Sequence, residues 1–325
     1  MLRDAHHRII DYVRLSVTDR CNLRCTYCMP ENMHFVQRDA LLTDNEILQL
    51  LHTLAAAGIS KIRITGGEPF LRPGLMPLLE KIKAIPGIQE IAITTNGVLT
   101  QSYIPPLRQL GITHINLSLD TLQAERFLQI TRRNRFAAVM DTLQSLLQHN
   151  MQVKINAVVM ENVNTDELAA FTALTRNNDL SVRFIEEMPF NGQGHTFSGI
   201  EWNYHKILSA IAATYPLQKI ADPPHSTSLN YHIPGHKGNI GVIPAYSRTF
   251  CGTCNRLRIS ATGSMKTCLY GNDVLNVKDI LKDKSQQSLL LPAIQSAIHA
   301  RFANGFDAEA HHTEKNMESM SIIGG

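Results

Sequence analysis

Three cysteines near the amino terminus are close enough in sequence to bind one metal cluster. Cys21, Cys25 and Cys28 are spaced C-x3-C-x2-C, directly after an apolar run of β-forming residues. Each thiol can ligate a different iron of one cubane 4Fe-4S cluster, whereas ordinary electron-carrying clusters bind four cysteines. The spacing therefore predicts a cluster with one iron open to an exchangeable ligand.

The same spacing is typical of the radical S-adenosylmethionine (SAM) superfamily, in which the amino and carboxylate groups of SAM bind that open iron. Tyr27, the aromatic residue directly before the third cysteine, also fits this pattern. A zinc or disulfide site is the alternative, but zinc normally takes four ligands in two pairs. The rest of the chain has to decide between these interpretations.

A second cysteine group lies near the carboxyl terminus and accounts for the remaining cysteines. Cys251, Cys254 and Cys268 are spaced C-x2-C-x13-C, which indicates a metal site, although spacing alone does not separate zinc from an iron-sulfur cluster. Arg256 and Arg258 are two residues apart on a predicted strand, so both guanidinium groups leave one face. Such a pair can clamp phosphate or carboxylate; a solvated basic face is the alternative.

Composition indicates a globular protein of 325 residues, with 44% hydrophobic and 18% charged residues. A net charge of +3 is too small to indicate a nucleic-acid partner. The chain has no apolar run of about 18 residues, and Met1 to Arg20 lacks the continuous apolar region of a signal peptide. We therefore expect a cytoplasmic protein with no membrane partner, where grouped thiols indicate metal rather than disulfides.

Strand-like runs alternate with helical segments between residues 12 and 186, which favours a parallel sheet, open or curled into a barrel. The predicted strands are Val13 to Val17, Lys61 to Thr65, Glu90 to Thr95, His114 to Leu119, Val153 to Val159 and Val182 to Glu186. The clearest helix is predicted over Leu42 to Ala57, with a capping box at Thr43 and Glu46 and an end at Gly58.

Several of these strands alternate polar and apolar residues. In the second strand, Lys61, Arg63 and Thr65 oppose Ile62 and Ile64. The outer face of a βα array has to be apolar to receive the helices, so the polar face points inward. A closed eight-stranded barrel fills its interior with branched apolar side chains. The sequence therefore predicts an incomplete barrel of six strands around a polar, ligand-holding cavity.

Further ligand candidates follow the strands. Gly66 and Gly67 come directly after the second strand, and paired glycines let the backbone approach a ligand. The adjacent Glu68 suits an ammonium group such as that of SAM. The stretches Thr94 to Gly97 and Ser118 to Asp120, at the ends of the third and fourth strands, are candidates for the same pocket, because such folds place ligands at the carboxyl ends of strands.

Together these motifs resemble the family of GTP 3′,8-cyclases, the radical SAM enzymes that begin molybdenum cofactor biosynthesis. The resemblance covers almost the full chain, including C-x2-C-N-R-L-R and the terminal Gly324-Gly325. It implies an α/β fold with an incomplete six-stranded (βα)6 radical SAM barrel over residues 1–220. A carboxyl-terminal α+β extension, residues 221–325, would close the open side and carry a second iron-sulfur cluster.

The resemblance also implies roles for individual residues. Cys21, Cys25 and Cys28 would hold the 4Fe-4S cluster that binds SAM, and Cys251, Cys254 and Cys268 a second 4Fe-4S cluster whose open iron meets guanine. The residues around SAM would be Tyr27, Gly67, Ser118 and Met188. The residues that contact GTP would be Arg14, Arg63, Thr94, Lys154, Arg256 and Arg258, of which Arg14, Arg256 and Arg258 would be catalytic. Glu187 departs from the apolar or aromatic residue more usual beside Met188.

The implied reaction converts GTP to (8S)-3′,8-cyclo-7,8-dihydroguanosine 5′-triphosphate. Reductive cleavage of SAM would give a 5′-deoxyadenosyl radical that takes the hydrogen from ribose C3′, and the carbon radical would add to guanine C8. One electron, through the second cluster, and one proton, from Arg14 or a bound water, would complete the product. The resemblance further implies an external one-electron reductant, a homodimer, and a cyclic pyranopterin monophosphate synthase that uses the product.

Two alternatives remain from the residues. One is another radical SAM enzyme with an auxiliary cluster, for example a peptide-modifying one, which would share both cysteine groups. The other is a non-enzymatic electron-transfer or zinc-stabilised binding protein. Cations on the inward strand faces and the terminal Gly-Gly argue against the first, because a polyanion such as GTP explains those cations. Iron and sulfide content would decide against the second.

Overall fold

The computed structural model describes residues 1–190, 200–312 and 319–323. The described residues form two compact units. The first contains Met1–Asn22, Asn32–Thr94 and the described residues from Cys251 onward; the second contains Leu23–Glu31 and the described residues of Thr95–Phe250. The predicted domain boundary at residue 220 stays a prediction.

The strands of the described chain include the six predicted ones, β3 to β8, each within two residues of its predicted ends. They are β1 (Leu2–Arg3), β2 (Ile9–Ile10), β3 (Tyr12–Ser16), β4 (Lys61–Thr65), β5 (Glu90–Thr95), β6 (His114–Ser118), β7 (Gln152–Val159), β8 (Leu180–Glu186), β9 (Gln218–Lys219), β10 (Leu229–His232), β11 (Asn239–Ile243), β12 (Arg256–Ile259), β13 (Ser264–Lys266) and β14 (Leu275–Asn276).

Helices alternate with the central strands, as an α/β fold requires. They are α1 (Asp44–Ala56), α2 (Leu75–Lys83), α3 (Ile104–Gln109), α4 (Ala124–Thr131), α5 (Phe136–Gln148), α6 (Leu168–Ala173), α7 (Tyr204–Ala212), α8 (Val277–Lys282), α9 (Leu290–His299), α10 (Gly305–Ala310) and α11 (Met320–Ile323). Within the described ranges, none of these helices combines the length and hydropathy needed to cross a bilayer.

The first unit contains a mixed sheet in the order β14, β13, β12, β3, β4, β5. β12, β3, β4 and β5 are parallel, and β13 and β14 continue the sheet antiparallel. β12 brings a segment from late in the chain beside β3, a pairing that strand propensity alone does not predict. The hairpin of β1 and β2 pairs Leu2 with Ile10.

The second unit contains strands in the order β6, β7, β8, β11, β10, β9. β6, β7, β8 and β11 are parallel, whereas β10 and β9 add antiparallel strands at the β11 edge. The core of each unit therefore depends on parallel strands with helices between them, which confirms the α/β class and the central parallel sheet.

Helix α1 shows how local sequence sets an element. The Glu46 N–H donates to Thr43 Oγ1 at 3.2 Å, and the Thr43 N–H donates to Glu46 Oε2 at 2.7 Å, so the predicted capping box is present. The helix ends at Ala56, and Gly58 has a φ of +107°, a backbone conformation that favours glycine.

The predicted alternation of polar and apolar strand faces is confirmed. In β4, Ile62 and Ile64 are fully buried, while Lys61 and Arg63 on the opposite face are half-buried. β7 repeats the pattern over its first half, where buried Val153 and Ile155 alternate with half-buried Lys154 and Asn156. The apolar faces form the core with the helices, and the polar faces carry the candidate site residues.

Candidate functional site

Neighbouring strands of the first unit place arginines side by side. Arg258 on β12 is in register with Arg14 on β3, and Arg14 is in register with Arg63 on β4. Two residues earlier on the same two strands, Arg256 is in register with Tyr12. Because alternate residues of a strand share a face, these side chains lie together on one face of the sheet.

Burial and neighbouring cations lower the pKa of two of these arginines, Arg14 and Arg258. Burial lowers the pKa of Arg14 well below its ordinary value, and the charges of Arg258, Arg63 and Arg256 lower it further. Burial and the Arg256 charge lower the pKa of Arg258 to about 10. For Tyr12, burial raises the pKa, but the surrounding cations outweigh it and the net shift is downward. A bound anion would relieve this repulsion.

Two buried polar atoms beside the arginine group also suit a polar ligand. Arg63 Nε and Thr94 Oγ1 form no hydrogen bond within the described part of the chain. Thr94 lies two residues after Ala92, the register partner of Arg63, and so shares its face. Because buried polar atoms normally have partners, their arrangement fits a ligand with both donors and acceptors.

The carboxyl-terminal cysteine group, Cys251, Cys254 and Cys268, also lies in the first unit. Its three cysteines are half-buried. Cys254 Sγ accepts hydrogen bonds from Arg301 Nη2 at 2.9 Å and from Arg256 Nη2 at 3.4 Å. Burial raises the pKa of the Cys254 thiol, but Arg256 and Arg301 oppose this and bring it to about 6. The site therefore favours the thiolate, the form that binds metal.

Within the described ranges, no three His, Cys, Asp or Glu side chains are arranged around a single metal ion. The donors of both cysteine groups are thiols, the type that iron-sulfur clusters require and that zinc also binds.

The amino-terminal cysteine group, Cys21, Cys25 and Cys28, is divided between the units, with Cys21 in the first. In the second unit, the Cys28 N–H donates to the Cys25 carbonyl at 3.0 Å, which makes a tight turn. The Arg24 and Thr26 N–H groups donate to carbonyls of the last two residues of α4, both at 2.9 Å. The end of α4 therefore positions the loop that carries Cys25 and Cys28.

Tyr27 is fixed by a buried carboxyl group. Its hydroxyl donates to Asp120 Oδ2 at 2.8 Å, while Asp120 Oδ1 accepts from the Val158 N–H at 2.9 Å. Burial raises the pKa of Asp120 to about 6 although both hydrogen bonds oppose the shift. Burial also raises the pKa of Tyr27, as do Asp120 and the two neighbouring thiols. Asp120 lies two residues after β6, in the stretch that the sequence named as a candidate for the pocket, although no role was predicted for it.

Gly66 and Gly67 are required by backbone packing. A Cβ at Gly67 would lie 2.3 Å from the Arg20 carbonyl oxygen, and one at Gly66 would lie 2.5 Å from the Thr18 carbonyl oxygen. The Gly67 and Glu68 N–H groups donate to those same carbonyls, of Thr18 and Arg20, both at 2.8 Å. The glycines thus hold the segment that leads to Cys21, and contact of Gly67 with SAM stays a prediction.

The remaining candidates lie on a polar face of the second unit. Ser118 on β6 is in register with Asn156 on β7, and Asn116 is in register with Lys154. Asn156 Oδ1 is buried and has no hydrogen-bond partner within the residues described. Met188, half-buried, follows β8. Gly324 and Gly325 lie outside the described residues.

Sequence reasoning missed Arg301 and gave no site role to Asn156. Asn156 carried a usable signal, because it lies on β7 at the polar face. Arg301 carried none, since it follows α9 and is 47 residues from the cysteine that it contacts.

Comparisons with known proteins identify the family to which the chain is similar. Residues 15–174 match the radical SAM superfamily, and residues 180–306 match the family described as Molybdenum Cofactor Synthesis C. The chain is 40% identical to GTP 3′,8-cyclase of Chlorobaculum tepidum, over 100% of this chain and 97% of that protein.

The chain is also 40% identical to molybdenum cofactor biosynthesis protein 1 of Dictyostelium discoideum, over 92% of this chain and 48% of that protein. Identity to the Homo sapiens protein of that name is 40%, over 91% of this chain and 47% of that protein. The chain therefore spans about half the length of these two relatives. Streptococcus suis SuiB bound to S-adenosylmethionine has a TM-score of 0.58 at 14% identity, over 89% of this chain and 68% of that chain, which shows the fold alone.

Proposed function

The chain belongs to the GTP 3′,8-cyclase family of radical SAM enzymes, and we propose that it converts GTP to (8S)-3′,8-cyclo-7,8-dihydroguanosine 5′-triphosphate, the first step of molybdenum cofactor biosynthesis. The observation that carries the proposal is the row of Arg258, Arg14 and Arg63 on adjacent strands. Cations that repel one another favour a polyanionic ligand, and GTP is one.

The proposed architecture is an incomplete six-stranded (βα)6 barrel over residues 1–220, closed by an extension over residues 221–325. The six strands β3 to β8, with their alternating polar faces, support the barrel. The parallel pairing of β12 with β3 supports the role of the extension, because it brings Arg256 and Arg258 to the face that carries Arg14.

The cofactors of the radical SAM superfamily are a 4Fe-4S cluster and SAM, and the thiols present here fit two clusters. Cys21, Cys25 and Cys28 would hold the first, with SAM near Tyr27, Gly67, Ser118 and Met188; Cys251, Cys254 and Cys268 would hold the second. When bound, SAM and the first cluster supply the 5′-deoxyadenosyl radical that takes the hydrogen from ribose C3′.

The chain's own residues bind and orient GTP. Arg63, Thr94 and Lys154 would hold its phosphates and ribose, while Arg256 and Arg258 would hold the guanine end near the second cysteine group. Fixed placement brings C3′ close to C8 and so lowers the entropy cost of ring closure. We assign the proton that completes the dihydroguanine, at N7, to Arg14, because burial and neighbouring cations lower its pKa.

We further propose the cellular setting that the family resemblance implies. The enzyme would act in the cytoplasm as a homodimer, with electrons from an external one-electron reductant. Its product would pass to a cyclic pyranopterin monophosphate synthase. The small net charge of +3 supports the absence of a nucleic-acid partner.

Anaerobic incubation of the reconstituted protein with SAM and dithionite tests the proposed reaction. GTP, ATP and a precursor peptide are added separately, and methionine, 5′-deoxyadenosine and nucleotide products are measured. We expect GTP alone to stimulate 5′-deoxyadenosine formation and to give an isomer of the same mass as GTP. Stimulation by the peptide instead would favour the peptide-modifying alternative, and SAM cleavage indifferent to GTP would overturn the proposal.

A further inference from the structure

Arg301 makes two contacts with a single cysteine of the carboxyl-terminal group. Its guanidinium Nη1 donates to the Cys254 carbonyl at 2.9 Å, and Nη2 donates to Cys254 Sγ at 2.9 Å. The arginine is 6% exposed, so both hydrogen bonds are shielded from water. Two donors of one planar group therefore fix both the backbone and the sulfur of Cys254.

The amino-terminal hairpin holds the chain segment that carries Arg301. The Arg301 carbonyl is 3.1 Å from His6 Nε2. Arg8 donates to the carbonyls of Phe302 and Ala303 at 2.7 and 2.6 Å, and to the Cys251 carbonyl at 3.0 Å. Arg8 donates these hydrogen bonds to carbonyl oxygens only, whereas Arg301 also donates to a cysteine sulfur. Arg8 therefore holds the backbone after α9 in place, and Arg301 contacts the sulfur atom that would bind iron.

A cation that donates to a cluster sulfur changes the energetics of reduction. Reduction adds one negative charge to an iron-sulfur cluster, and hydrogen bonds to its sulfurs stabilise that charge. Shielding from water strengthens the effect, because the effective dielectric constant is lower than in bulk water. Arg301 should therefore make a cluster at this site easier to reduce.

We propose that Arg301 is a positioning residue that raises the reduction potential of the second cluster through its hydrogen bond to Cys254 Sγ. The inference rests on the proposed function, since it requires a 4Fe-4S cluster at Cys251, Cys254 and Cys268. In that function the ring closure needs one electron, and an easily reduced cluster close to guanine keeps that electron available. Arg301 thus affects the reaction through the potential of the cluster and does not contact the substrate.

The test uses the full chain with Cys21, Cys25 and Cys28 replaced by Ser, so that only the second cluster is loaded. An anaerobic potentiometric titration followed by electron paramagnetic resonance compares this parent with Arg301→Met, Arg301→Gln and Arg301→Lys. We expect Arg301→Met to lower the reduced-to-oxidised ratio at a fixed potential about tenfold, which is about 59 mV for a one-electron couple. Arg301→Lys, which keeps the charge, should shift the ratio less.

Arg8→Met is the matched control, because it removes a buried arginine that contacts the segment carrying Arg301 through carbonyl oxygens. It should lower thermal stability or cluster content and leave the potential close to that of the parent. Equal shifts in Arg8→Met and Arg301→Met, or loaded Arg301 variants with the parent's potential, would overturn the proposal. Loss of the cluster from every Arg301 variant, with Arg8→Met still loaded, would also overturn it by assigning Arg301 to assembly alone.

Iron content separates failure of this inference from failure of the proposed function. The parent should hold about four iron and four sulfide per chain. Zinc or no metal in the parent would contradict the proposal that Cys251, Cys254 and Cys268 hold a second cluster, and would show that this cysteine group has another role. An unchanged potential in a loaded Arg301→Met protein would contradict only the role of Arg301.

Discussion

Arg14, Arg63 and Arg258 lie in register on adjacent strands, and burial and the charges of the other two lower the pKa of Arg14. Each was found in the sequence as a polar residue alternating with apolar neighbours. Their mutual placement depended on β12 pairing with β3, which joins residues more than 200 positions apart in the chain. The sequence therefore predicted the arginines themselves, whereas their placement side by side on adjacent strands was visible only in the three-dimensional structure.

Replacement of Arg258 by Ala should weaken GTP binding by roughly ten- to a hundredfold. A charge-assisted hydrogen bond contributes about 1.5 to 3 kcal/mol, and each 1.4 kcal/mol is about tenfold in affinity. Anaerobic calorimetry with GTP measures the change, and Arg108→Ala, an exposed arginine of α3, is the control. Saturating GTP should restore SAM cleavage in Arg258→Ala; a loss that no GTP concentration reverses would contradict a binding role.

Asp120 makes a pH-dependent contribution to stability whose sign follows from its raised pKa. The carboxyl titrates at about 6 when folded, against an ordinary value of 3.8, so the folded chain holds its proton more tightly. The resulting stabilisation is complete below the unfolded pKa and is lost as pH rises through about 6. Up to about 3 kcal/mol of unfolding free energy should be lost this way between pH 4 and 7.

Urea unfolding of the metal-free protein at several pH values measures that loss. Asp120→Asn should remove this component of the pH dependence, whereas Asp141→Asn, at an exposed position of α5, should keep it. A parent and an Asp120→Asn protein with parallel pH profiles would contradict the assignment. The sequence placed Asp120 among the candidates that follow the fourth strand, but a short polar residue at such a position does not reveal how deeply it is buried.

At the level of elements, the strands and their polar faces could be predicted because a two-residue alternation is a local pattern. The capping box of α1 was predictable for the same reason. The positions of β11 and β12 beside β8 and β3 were not, since pairing between distant strands is decided by packing. Gly67 shows the limit within one motif: the glycine was found, but its backbone packing against Arg20 was visible only in three dimensions.

Helix α4 supports the loop that carries Cys25 and Cys28, so its packing should control retention of the first cluster. Phe127, buried on α4, packs edge to face against Phe136 with ring centroids 5.7 Å apart. Truncation of such a side chain costs about 3 to 5 kcal/mol. Phe127→Ala should therefore loosen the end of α4 and release iron from the first cluster faster than from the second.

Phe171→Ala is the matched control in the same unit. Phe171 is equally buried, and its ring centroid lies 6.3 Å from that of Phe184, also edge to face. It should lower global stability to a similar extent while the first cluster keeps its response to SAM in electron paramagnetic resonance. Equal rates of iron loss in the two variants would mean that α4 has no specific role.

At the scale of the whole molecule, we expect each cysteine group to bind its own cluster whether or not the other group is present. The reconstituted parent should contain about eight iron and eight sulfide per chain, and replacement of either group by Ser should leave about four of each. The variant that lacks Cys21, Cys25 and Cys28 should lose SAM cleavage completely, because these three thiols would hold the cluster that binds and reduces SAM. The Cys251, Cys254 and Cys268 variant should keep slow SAM cleavage but give no cyclised nucleotide. Zinc in place of iron in the second group, with product still formed, would contradict the division of labour between radical generation at the first group and substrate placement at the second.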